Sequence, residues 1–330
     1  MPEGRPPLRR LLTAQARNAL IRPGADPTYA DGDDASWLTI DWRSLQRQVP
    51  VRGSTMNVVD TGGGASALVW IHGLSGCWQN WLLNLPAFMD EHRCVAMDLP
   101  GFGASPMPRD PITIQGYARE VDALLQELGV ERATIVGNSM GGFIGADIAL
   151  SFATRVEKLV LVSAAGLSTE YERREPVVAV ARALALGSTR AARLNSWVVR
   201  RPRLRRAAMQ TVVRYPERLS PALAYEQLQG SGKPGFVDAL AALLSYSVRD
   251  RLGRIEVPVL VVWGQNDMLV PVSDADRYVE LIGANARKVL FEDTGHVPMI
   301  ERPSRFNALL ADFVAGERAP EADVPGVHAA

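Results

Sequence analysis

Short apolar runs alternate with amphipathic helical patterns along most of the chain. The apolar runs are rich in Val, Ile and Leu and are bounded by Gly, Asp or Pro, a pattern typical of buried β-strands. Strands are predicted at 54–62, 66–73, 92–101, 133–138, 156–164, 257–264 and 286–293. Helices are predicted between them, at 80–91, 113–129, 140–152, 274–282 and 303–316. Because strands and helices alternate, we expect the α/β class, with a mostly parallel, doubly wound sheet covered on both faces.

The alternation is interrupted after the strand at 156–164. Residues 168–250 carry helical patterns with almost no strand signal, so we predict a helical lid, or cap, inserted into the sheet domain. The predicted core is 46–167 and 251–316, and an insertion at this point would cover the strand ends where open α/β sheets bind ligands. The flanking residues 1–45 and 317–330 are predicted to be a partly irregular extension and a loose tail.

Composition narrows the class of protein. The chain has 330 residues with 36 basic and 36 acidic side chains, and this balance argues against a nucleic-acid binder. Cys77 and Cys94 have no metal-ligand spacing and suggest buried thiols in a reducing compartment. The basic N-terminus lacks the apolar stretch of a secretory signal, and no run could span a membrane. We therefore expect a cytoplasmic protein with no transmembrane segment, no metal and no cofactor.

A serine lies in an unusual setting at the junction of a strand and a helix. The segment "VGNSMGGFIG" places Ser139 among glycines, directly after an apolar strand and before a helical pattern. The alternative is a glycine-rich turn that happens to contain a serine. A tight turn is useful when a hydroxyl must be held out toward a substrate, which makes Ser139 a candidate nucleophile. A serine hydroxyl is barely ionised at neutral pH, so it needs a base.

The candidate base comes from the four histidines of the chain. His328 lies in the tail, His92 lies in a charged segment, and His72 ends a strand in "WIHGLSG". His296 lies in a loop between the last predicted strand and the last helix, where it can face the carboxyl ends of the strands. We take His296 as the general base.

A histidine base needs an acid that fixes its tautomer. Asp267 follows the strongly apolar strand at 257–264 and is the predicted acid. The segment after the preceding strand, "LVLVSAAGL", offers no carboxylate. Asp274 and Asp276 begin a helix and are interpreted as partners of its N-terminal dipole.

Acyl transfer also needs donors for an oxyanion. The backbone N–H of Met140, directly after the candidate nucleophile, is one predicted donor, and that of Leu74 in "HGLSG" is the other. Gly73 and Gly76 allow the latter loop to approach closely, and His72 is interpreted as a structural residue that holds it.

The motifs "HGLSG", "DLPGFGAS", "GNSMGG", "WGQND" and "TGHVPMIERP" occur in this order with the spacing of one known superfamily. From Thr55 to Val314, apart from the insertion, the chain resembles the α/β-hydrolases. The order Ser139, Asp267, His296 is the order of their triad. The resemblance implies an α/β-hydrolase fold and the serine-nucleophile branch, which includes carboxylesterases and lipases. Haloalkane dehalogenases and epoxide hydrolases are excluded, because they carry an aspartate at the position of the serine.

Two residues bear on the substrate. "GNSMGG" and "GCWQNW" resemble the meta-cleavage-product C–C hydrolases, in which the matched residue, Asn138, lines the pocket. A tryptophan usually follows the histidine in that family, whereas this chain has Val297. An aliphatic wall suits acyl or aromatic groups, so we predict hydrolysis of small-molecule carboxylic esters through an acyl-enzyme on Ser139. A C–C hydrolase of 2-hydroxy-6-oxo-dienoates and a triad-bearing ligand receptor are the alternatives.

The predicted cap is rich in arginine. Ten arginines and a single acid, Glu217, lie between residues 182 and 218. The arginines are Arg182, Arg190, Arg193, Arg200, Arg201, Arg203, Arg205, Arg206, Arg214 and Arg218. They form either a solvated helical face or a surface that attracts anionic lipid or acidic substrates, and the latter implies peripheral membrane contact.

Overall fold

One sheet of eight strands organises the protein. The computed structural model describes residues 28–31, 36–168 and 195–316. The strands are β1 (Gln46–Val51), β2 (Ser54–Asp60), β3 (Ala67–Ile71), β4 (Arg93–Met97), β5 (Ala133–Asn138), β6 (Val156–Val162), β7 (Val259–Gly264) and β8 (Ala286–Phe291). Their spatial order is β1-β2-β4-β3-β5-β6-β7-β8. The pairs β1–β2 and β2–β4 are antiparallel and all other pairs are parallel, which confirms the predicted mostly parallel sheet.

Both faces of the sheet are covered. The helices are α1 (Trp42–Leu45), α2 (Ile114–Glu127), α3 (Met140–Ser151), α4 (Asn195–Val199), α5 (Pro202–Met209), α6 (Pro221–Gln227), α7 (Phe236–Ser245), α8 (Ser273–Ile282), α9 (Pro298–Glu301) and α10 (Pro303–Ala315). Along β3, Val69 and Ile71 join one apolar layer, while Leu68 and Trp70 join the other. This alternation follows from the two-residue period of a strand. It produces an apolar core on each side of the sheet.

The helix α2 forms where the apolar period predicted it. Its residues Tyr117, Val121, Leu124 and Leu125 are buried. Thr113 caps the helix, since its hydroxyl accepts a hydrogen bond from the backbone N–H of Gly116 at 2.8 Å. A threonine in this position satisfies one of the free donors of the first turn.

The helix predicted at 80–91 is wrong. The structure has two short 3₁₀ turns there, Trp78–Trp81 and Leu85–Ala87. Pro86 lies in the second turn, and a proline inside an α-helix removes a backbone donor and clashes with the preceding turn. Between the two turns, the side chain of Asn84 donates to Met299 O at 3.0 Å.

The strand β1 was not predicted. Its sequence, "QRQVPV", is mostly polar and contains Pro50, which hides the apolar alternation. A proline is tolerated because β1 lies at the edge of the sheet and pairs only with β2. Edge strands of this kind lack the signal that marks a buried strand.

The described part of the insertion, 195–250, contains the helices α4 to α7 and no strand. The rest of the predicted cap, 169–194, lies outside the described residues, as do 1–27 and the predicted tail at 317–330. The exact domain boundaries therefore stay predictions. No helix in the described ranges is long and apolar enough to cross a bilayer.

Candidate active site

The turn at Ser139 joins the end of β5 to the start of α3. Its backbone has φ 54° and ψ −117°, a conformation that residues with side chains rarely adopt. The backbone N–H of Ser139 donates to Val162 O at 2.9 Å, and its carbonyl accepts from Phe143 and Ala165 at 3.2 and 3.1 Å. A strained serine that is held on both sides is typical of a functional position.

Glycines make this turn sterically feasible. A Cβ atom on Gly141 would lie 2.1 Å from Ile71 O, and one on Gly137 would lie 2.3 Å from Gly141 O. Neither distance is compatible with a side chain, so α3 can cross β3 and β5 this closely only with glycine in both positions. The glycine pattern around Ser139 is therefore a packing requirement of the turn.

His296 and Asp267 lie together beyond the carboxyl ends of β8 and β7. The imidazole Nδ1 is 2.8 Å from Asp267 Oδ2, and the aspartate side chain is fully buried. The other oxygen, Oδ1, accepts hydrogen bonds from the backbone N–H groups of Leu269 and Val270 at 2.8 and 3.0 Å. A carboxylate fixed in this way selects the tautomer with a proton on Nδ1, which leaves Nε2 as the acceptor.

Asn138 links the histidine to the serine turn. It is buried, and its amide nitrogen donates to Val162 O at 3.1 Å and to His296 O at 3.3 Å. These bonds tie the loop of His296 to the residue that precedes Ser139. Within the described part of the chain Ser139 Oγ makes no hydrogen bond, and catalytic contacts of this kind often tighten only around a substrate. Substrate contact by Asn138 stays a prediction.

The two predicted oxyanion donors are placed beside this turn. The backbone N–H groups of Leu74 and Met140 make no hydrogen bond within the described residues, so both can donate to a bound group. A Cβ atom on Gly73 would lie 3.0 Å from Ser139 Cβ, so the loop that carries Leu74 approaches the serine closely. His72 holds this loop through Nδ1, which lies 2.7 Å from Gly73 O.

The imidazole of His72 also has a second bond. Its Nε2 accepts from the backbone N–H of Leu99 at 3.0 Å. Burial lowers the pKa of His72, which keeps the ring neutral and suits an acceptor nitrogen. The structure thus gives His72 the contacts of a structural residue.

The alternative acid, Asp274, lies elsewhere. It is buried at the start of α8, where its carboxylate accepts from the backbone N–H of Ser168 at 3.0 Å and from Arg277 at 3.1 Å. It makes no contact with His296 among the described residues. Asp276 is half of an exposed pair with Lys288.

A buried carboxylate that the sequence analysis did not single out supports the histidine loop. Glu301 accepts from the backbone N–H groups of Gly295 at 3.0 Å and Val297 at 3.3 Å, on either side of His296. It also accepts from Arg214 N at 2.8 Å and from the hydroxyl of Tyr29 at 2.7 Å. Burial raises the pKa of Glu301 to about 7. The motif "TGHVPMIERP" contained this residue, but a glutamate in a short helix gives no sign of being buried.

Val297 lies directly after the histidine at the N-terminal end of α9. Its side chain is buried in the apolar layer that also contains Met299 and Ile300. This surrounding is consistent with an apolar wall near the site. Contact between Val297 and a substrate stays a prediction.

The arginines of the cap do not act as one group. Arg205 is buried and donates to the carbonyls of Pro216 and Glu217. Arg214 is also buried and pairs with Asp293 at 3.1 Å. The exposed arginines at the junction of α4 and α5 are Arg200 and Arg201, which connect the two helices, and Arg203, which lies in the first turn of α5. Arg182, Arg190 and Arg193 lie outside the described residues.

The candidate site offers residue types that suit acid–base and nucleophilic catalysis. In the described ranges no group of three or more His, Cys, Asp or Glu side chains is arranged to hold a metal ion. Ser139, Asp267 and His296 follow the carboxyl ends of β5, β7 and β8. These ends lie on the same side of the sheet, because the strands from β5 to β8 are parallel.

The fold and the site define a class of protein. The family described as "alpha/beta hydrolase fold" matches residues 66–303, and the chain belongs to this family of hydrolases. It is 34% identical over 274 residues to a 2-hydroxy-6-oxononadienedioate/2-hydroxy-6-oxononatrienedioate hydrolase of Paraburkholderia phymatum, covering 77% of this chain and 89% of that protein.

Two further similarities are relevant. The chain is 30% identical over 250 residues to 3-oxoadipate enol-lactonase 2 of Acinetobacter baylyi, covering 73% of this chain and 85% of the relative. It is also similar to the crystal structure of a membrane phospholipase A described as a bacterial virulence factor. That match has a TM-score of 0.63 and 25% identity, and covers 93% of this chain and 98% of the other.

Proposed function

We propose that this protein is a serine hydrolase that cleaves carboxylic esters of short to medium acyl or aromatic groups through an acyl-enzyme on Ser139. The observation that carries the proposal is the buried Asp267, 2.8 Å from His296 Nδ1, on a loop tied to the residue before Ser139. A loop histidine without a role would not be expected to lie beside a buried aspartate whose other oxygen accepts two backbone hydrogen bonds.

The reaction follows from these positions. His296 Nε2 takes the proton of Ser139 as Oγ attacks the ester carbonyl, and Asp267 stabilises the imidazolium that forms. The developing oxyanion receives hydrogen bonds from the backbone N–H groups of Leu74 and Met140. His296 then returns the proton to the leaving alcohol. A water activated by the same imidazole hydrolyses the acyl-enzyme and restores the serine hydroxyl.

The surroundings favour an uncharged substrate. Val297 is buried among apolar side chains, and the buried cap arginines Arg205 and Arg214 already have partners. The similarity to an enol-lactonase points the same way, since a lactone is a cyclic carboxylic ester. An apolar pocket with two oxyanion donors is sufficient for an ester.

C–C bond hydrolysis is the second candidate function. It is favoured by the similarity to the dienedioate hydrolase and by the asparagine before the serine, Asn138. Such an enzyme must first protonate a dienolate carbon and hold a charged, conjugated keto-acid. That substrate requires a cationic group facing the pocket.

One enzyme preparation can decide between the two reactions. We expect kcat/KM for p-nitrophenyl esters of short to medium chain length to exceed that for any 2-hydroxy-6-oxo-dienoate by roughly tenfold or more. Release of p-nitrophenol and loss of dienoate absorbance are the measurements. Faster loss of the dienoate would establish the second candidate.

The nucleophile has its own test. A fluorophosphonate probe should label Ser139 in the native protein, and Ser139→Ala should remove both the label and the turnover. Label without turnover of any ester or dienoate would identify a ligand receptor that keeps the triad. Label that persists in Ser139→Ala would refute the assignment.

We propose in addition that the exposed arginines at the junction of α4 and α5 contact anionic lipid headgroups. Trp197 is 50% exposed, and the guanidinium of Arg201 lies 4.1 Å from its ring centroid. The similarity to a membrane phospholipase A supports this proposal. Replacing Arg200, Arg201 and Arg203 by Gln should weaken binding to phosphatidylserine vesicles by about 1 kcal/mol per residue. Binding to phosphatidylcholine vesicles is the control. Equal binding of the native protein and the triple variant to phosphatidylserine vesicles would refute the proposal.

A further inference from the structure

The backbone of the His296 loop is bound by the carboxylate of Glu301. Glu301 accepts hydrogen bonds from the N–H groups of Gly295 and Val297, so the backbone is fixed on both sides of the histidine. The N–H of His296 itself donates to Val212 O at 2.8 Å. All three consecutive N–H groups of this loop are therefore bound by groups outside the loop.

Glu301 also connects two segments that are distant in the sequence. The hydroxyl of Tyr29 donates to Glu301 Oε2 and accepts from the backbone N–H of Tyr215 at 2.8 Å. The N–H of Arg214 donates to the same carboxylate oxygen. The N-terminal segment, the cap and the histidine loop thus meet at one buried carboxylate.

The hydrogen bonds to Glu301 favour the ionised carboxylate, whereas burial favours the protonated one and raises the pKa to about 7. The N–H groups of Gly295, Val297 and Arg214 can only donate, and the Tyr29 hydroxyl donates its hydrogen to Glu301 while its oxygen accepts from the N–H of Tyr215. A protonated carboxyl or an amide would present a hydrogen to one of these donors. In a buried site such a donor–donor contact leaves two polar groups unsatisfied, which is costly.

We propose that Glu301 and Tyr29 are positioning residues for His296, which hold its loop so that the imidazole stays aligned between Asp267 and Ser139. The inference rests on the proposed function, in which His296 is the general base. It also gives the N-terminal segment a role in the chemistry, through the hydroxyl of Tyr29.

Several charged groups surround Glu301. The guanidinium groups of Arg218 and Arg302 lie 4.9 and 5.0 Å from the ring centroid of Tyr29. Asp293, on the histidine loop, pairs with the side chain of Arg214. Other titratable neighbours are Tyr29 itself, whose pKa is raised well above the ordinary value by burial, Tyr215, whose hydroxyl donates to Asp293, and His296 with its partner Asp267. Glu301 is the member of this cluster whose pKa is raised to about 7.

Two substitutions with matched controls test the proposal. Glu301→Gln should lower kcat by about 30-fold and change KM by less than about threefold, because the pocket is intact while the base is misaligned. Tyr29→Phe removes one hydroxyl and should lower kcat by roughly fivefold. The controls are Glu292→Gln, which is exposed on the same loop, and Tyr225→Phe, which is exposed in the cap. Both should stay within about twofold of the native enzyme.

The pH profile separates positioning from loss of stability. Burial raises the pKa of Glu301 to about 7, so in the native enzyme Glu301 must lose a proton before its carboxylate can accept all four hydrogen bonds that hold the histidine loop. The acid limb of log kcat should therefore have a steeper slope in the native enzyme than in Glu301→Gln, which lacks this ionisation. A structural defect would lower kcat without changing this slope.

A spectroscopic measurement makes the test independent of turnover. The chain has four histidines, so the imidazole signals can be assigned in a Ser139→Ala background. The Nδ1 proton of His296, bonded to Asp267, should be downfield and protected from exchange. In Glu301→Gln and Tyr29→Phe it should exchange faster, and in the two control variants it should be unchanged.

The outcomes distinguish this inference from the proposed function. If the native enzyme turns over esters and both variants keep native kcat, slope and Nδ1 signal, the positioning roles are refuted. If the native enzyme shows neither label nor turnover, the proposed function fails, while the Nδ1 exchange rates still decide whether Glu301 positions His296. If Glu301→Gln does not fold, the effect of Tyr29→Phe on kcat and on the Nδ1 signal decides.

Discussion

The two halves of the candidate site are built in different ways. The turn at Ser139 consists of consecutive residues between β5 and α3, and it is held by backbone hydrogen bonds to the neighbouring strand end, such as that from Ser139 N to Val162 O. The loop of His296 is held by side chains from several parts of the sequence: Asp267, the nearby Glu301 and, through Glu301, the distant Tyr29. One half depends on close backbone approach and the other on buried polar side chains.

This difference determines which kind of substitution disrupts each half of the candidate site. A close backbone crossing is sensitive to added volume, because protein interiors have no space for an extra methyl group at such a contact. A buried polar cluster is sensitive to the loss of a partner or to a change in protonation, because unsatisfied groups are costly there. The following predictions test this contrast, from the largest expected effect to the smallest.

Asp267→Asn should affect chemistry and leave the fold intact. The amide cannot stabilise an imidazolium and favours the wrong tautomer of His296, so we expect kcat to fall by about 10⁴-fold. Steady-state kinetics and a thermal melt are the measurements. The matched control is Asp274→Asn, at a buried aspartate that contacts Ser168 and Arg277, which should reduce stability with kcat within about threefold. The reverse result would show that the wrong carboxylate has been assigned.

Gly141→Ala should affect the fold first. The new methyl group would lie 2.1 Å from Ile71 O, and we expect a loss of about 3 kcal/mol or more in the free energy of unfolding. Gly145→Ala lies one turn further along α3, where the added Cβ meets only side-chain methyl groups at 3.1 and 3.2 Å. That control should cost about 1 kcal/mol or less. Equal urea midpoints for the two variants would contradict the steric account of the serine turn.

Glu301 should make stability depend on pH. Its pKa is raised to about 7 by burial, whereas an unfolded glutamate titrates near about 4.3. Between these pH values the folded chain keeps a proton that the unfolded chain has released, so the contribution of this group is largest at low pH and decreases as the pH rises to 7. The unfolding free energy of the native protein, measured relative to that of Glu301→Gln, should therefore fall by roughly 2–3 kcal/mol from pH 5 to pH 8. Urea titrations across this range measure it, and a constant difference would contradict the prediction.

Asn138→Ala should have the smallest effect, at the junction of the two halves. The substitution removes the amide bonds to Val162 O and His296 O, and we expect a fall in kcat of about tenfold. If Asn138 instead binds substrate, KM should rise by a similar factor with kcat retained. Initial rates over a range of ester concentrations separate the two outcomes.

The same contrast explains what the sequence could predict. The glycine and serine pattern around Ser139 is local, so strand, turn and helix could be recognised within ten residues. Asp267 and His296 could be predicted from the sequence because each lies shortly after the end of a predicted strand. The contacts of Glu301 with Tyr29 and Arg214 were not accessible, because no periodicity shows that a glutamate of a short helix will be buried by segments far along the chain.

The elements follow the same rule. Buried strands such as β3 and β7 were predicted because every residue in them is apolar. The edge strand β1 was not predicted because half of its residues face water. The helix at 80–91 was predicted wrongly because Pro86 prevents an α-helix there. Local chemistry predicts interior elements well, while edges and turns depend on their neighbours.

The bond between Tyr29 and Glu301 has a consequence for biosynthesis. Its two residues are separated by 272 positions, so Tyr29 leaves the ribosome long before Glu301. Contacts of such separation form late, since closing a long loop must precede the contact. During translation all eight strands of the described sheet emerge before His296 does. The nascent chain can therefore form its serine turn early, whereas the loop of His296 gains its full set of hydrogen bonds only after Glu301 has emerged.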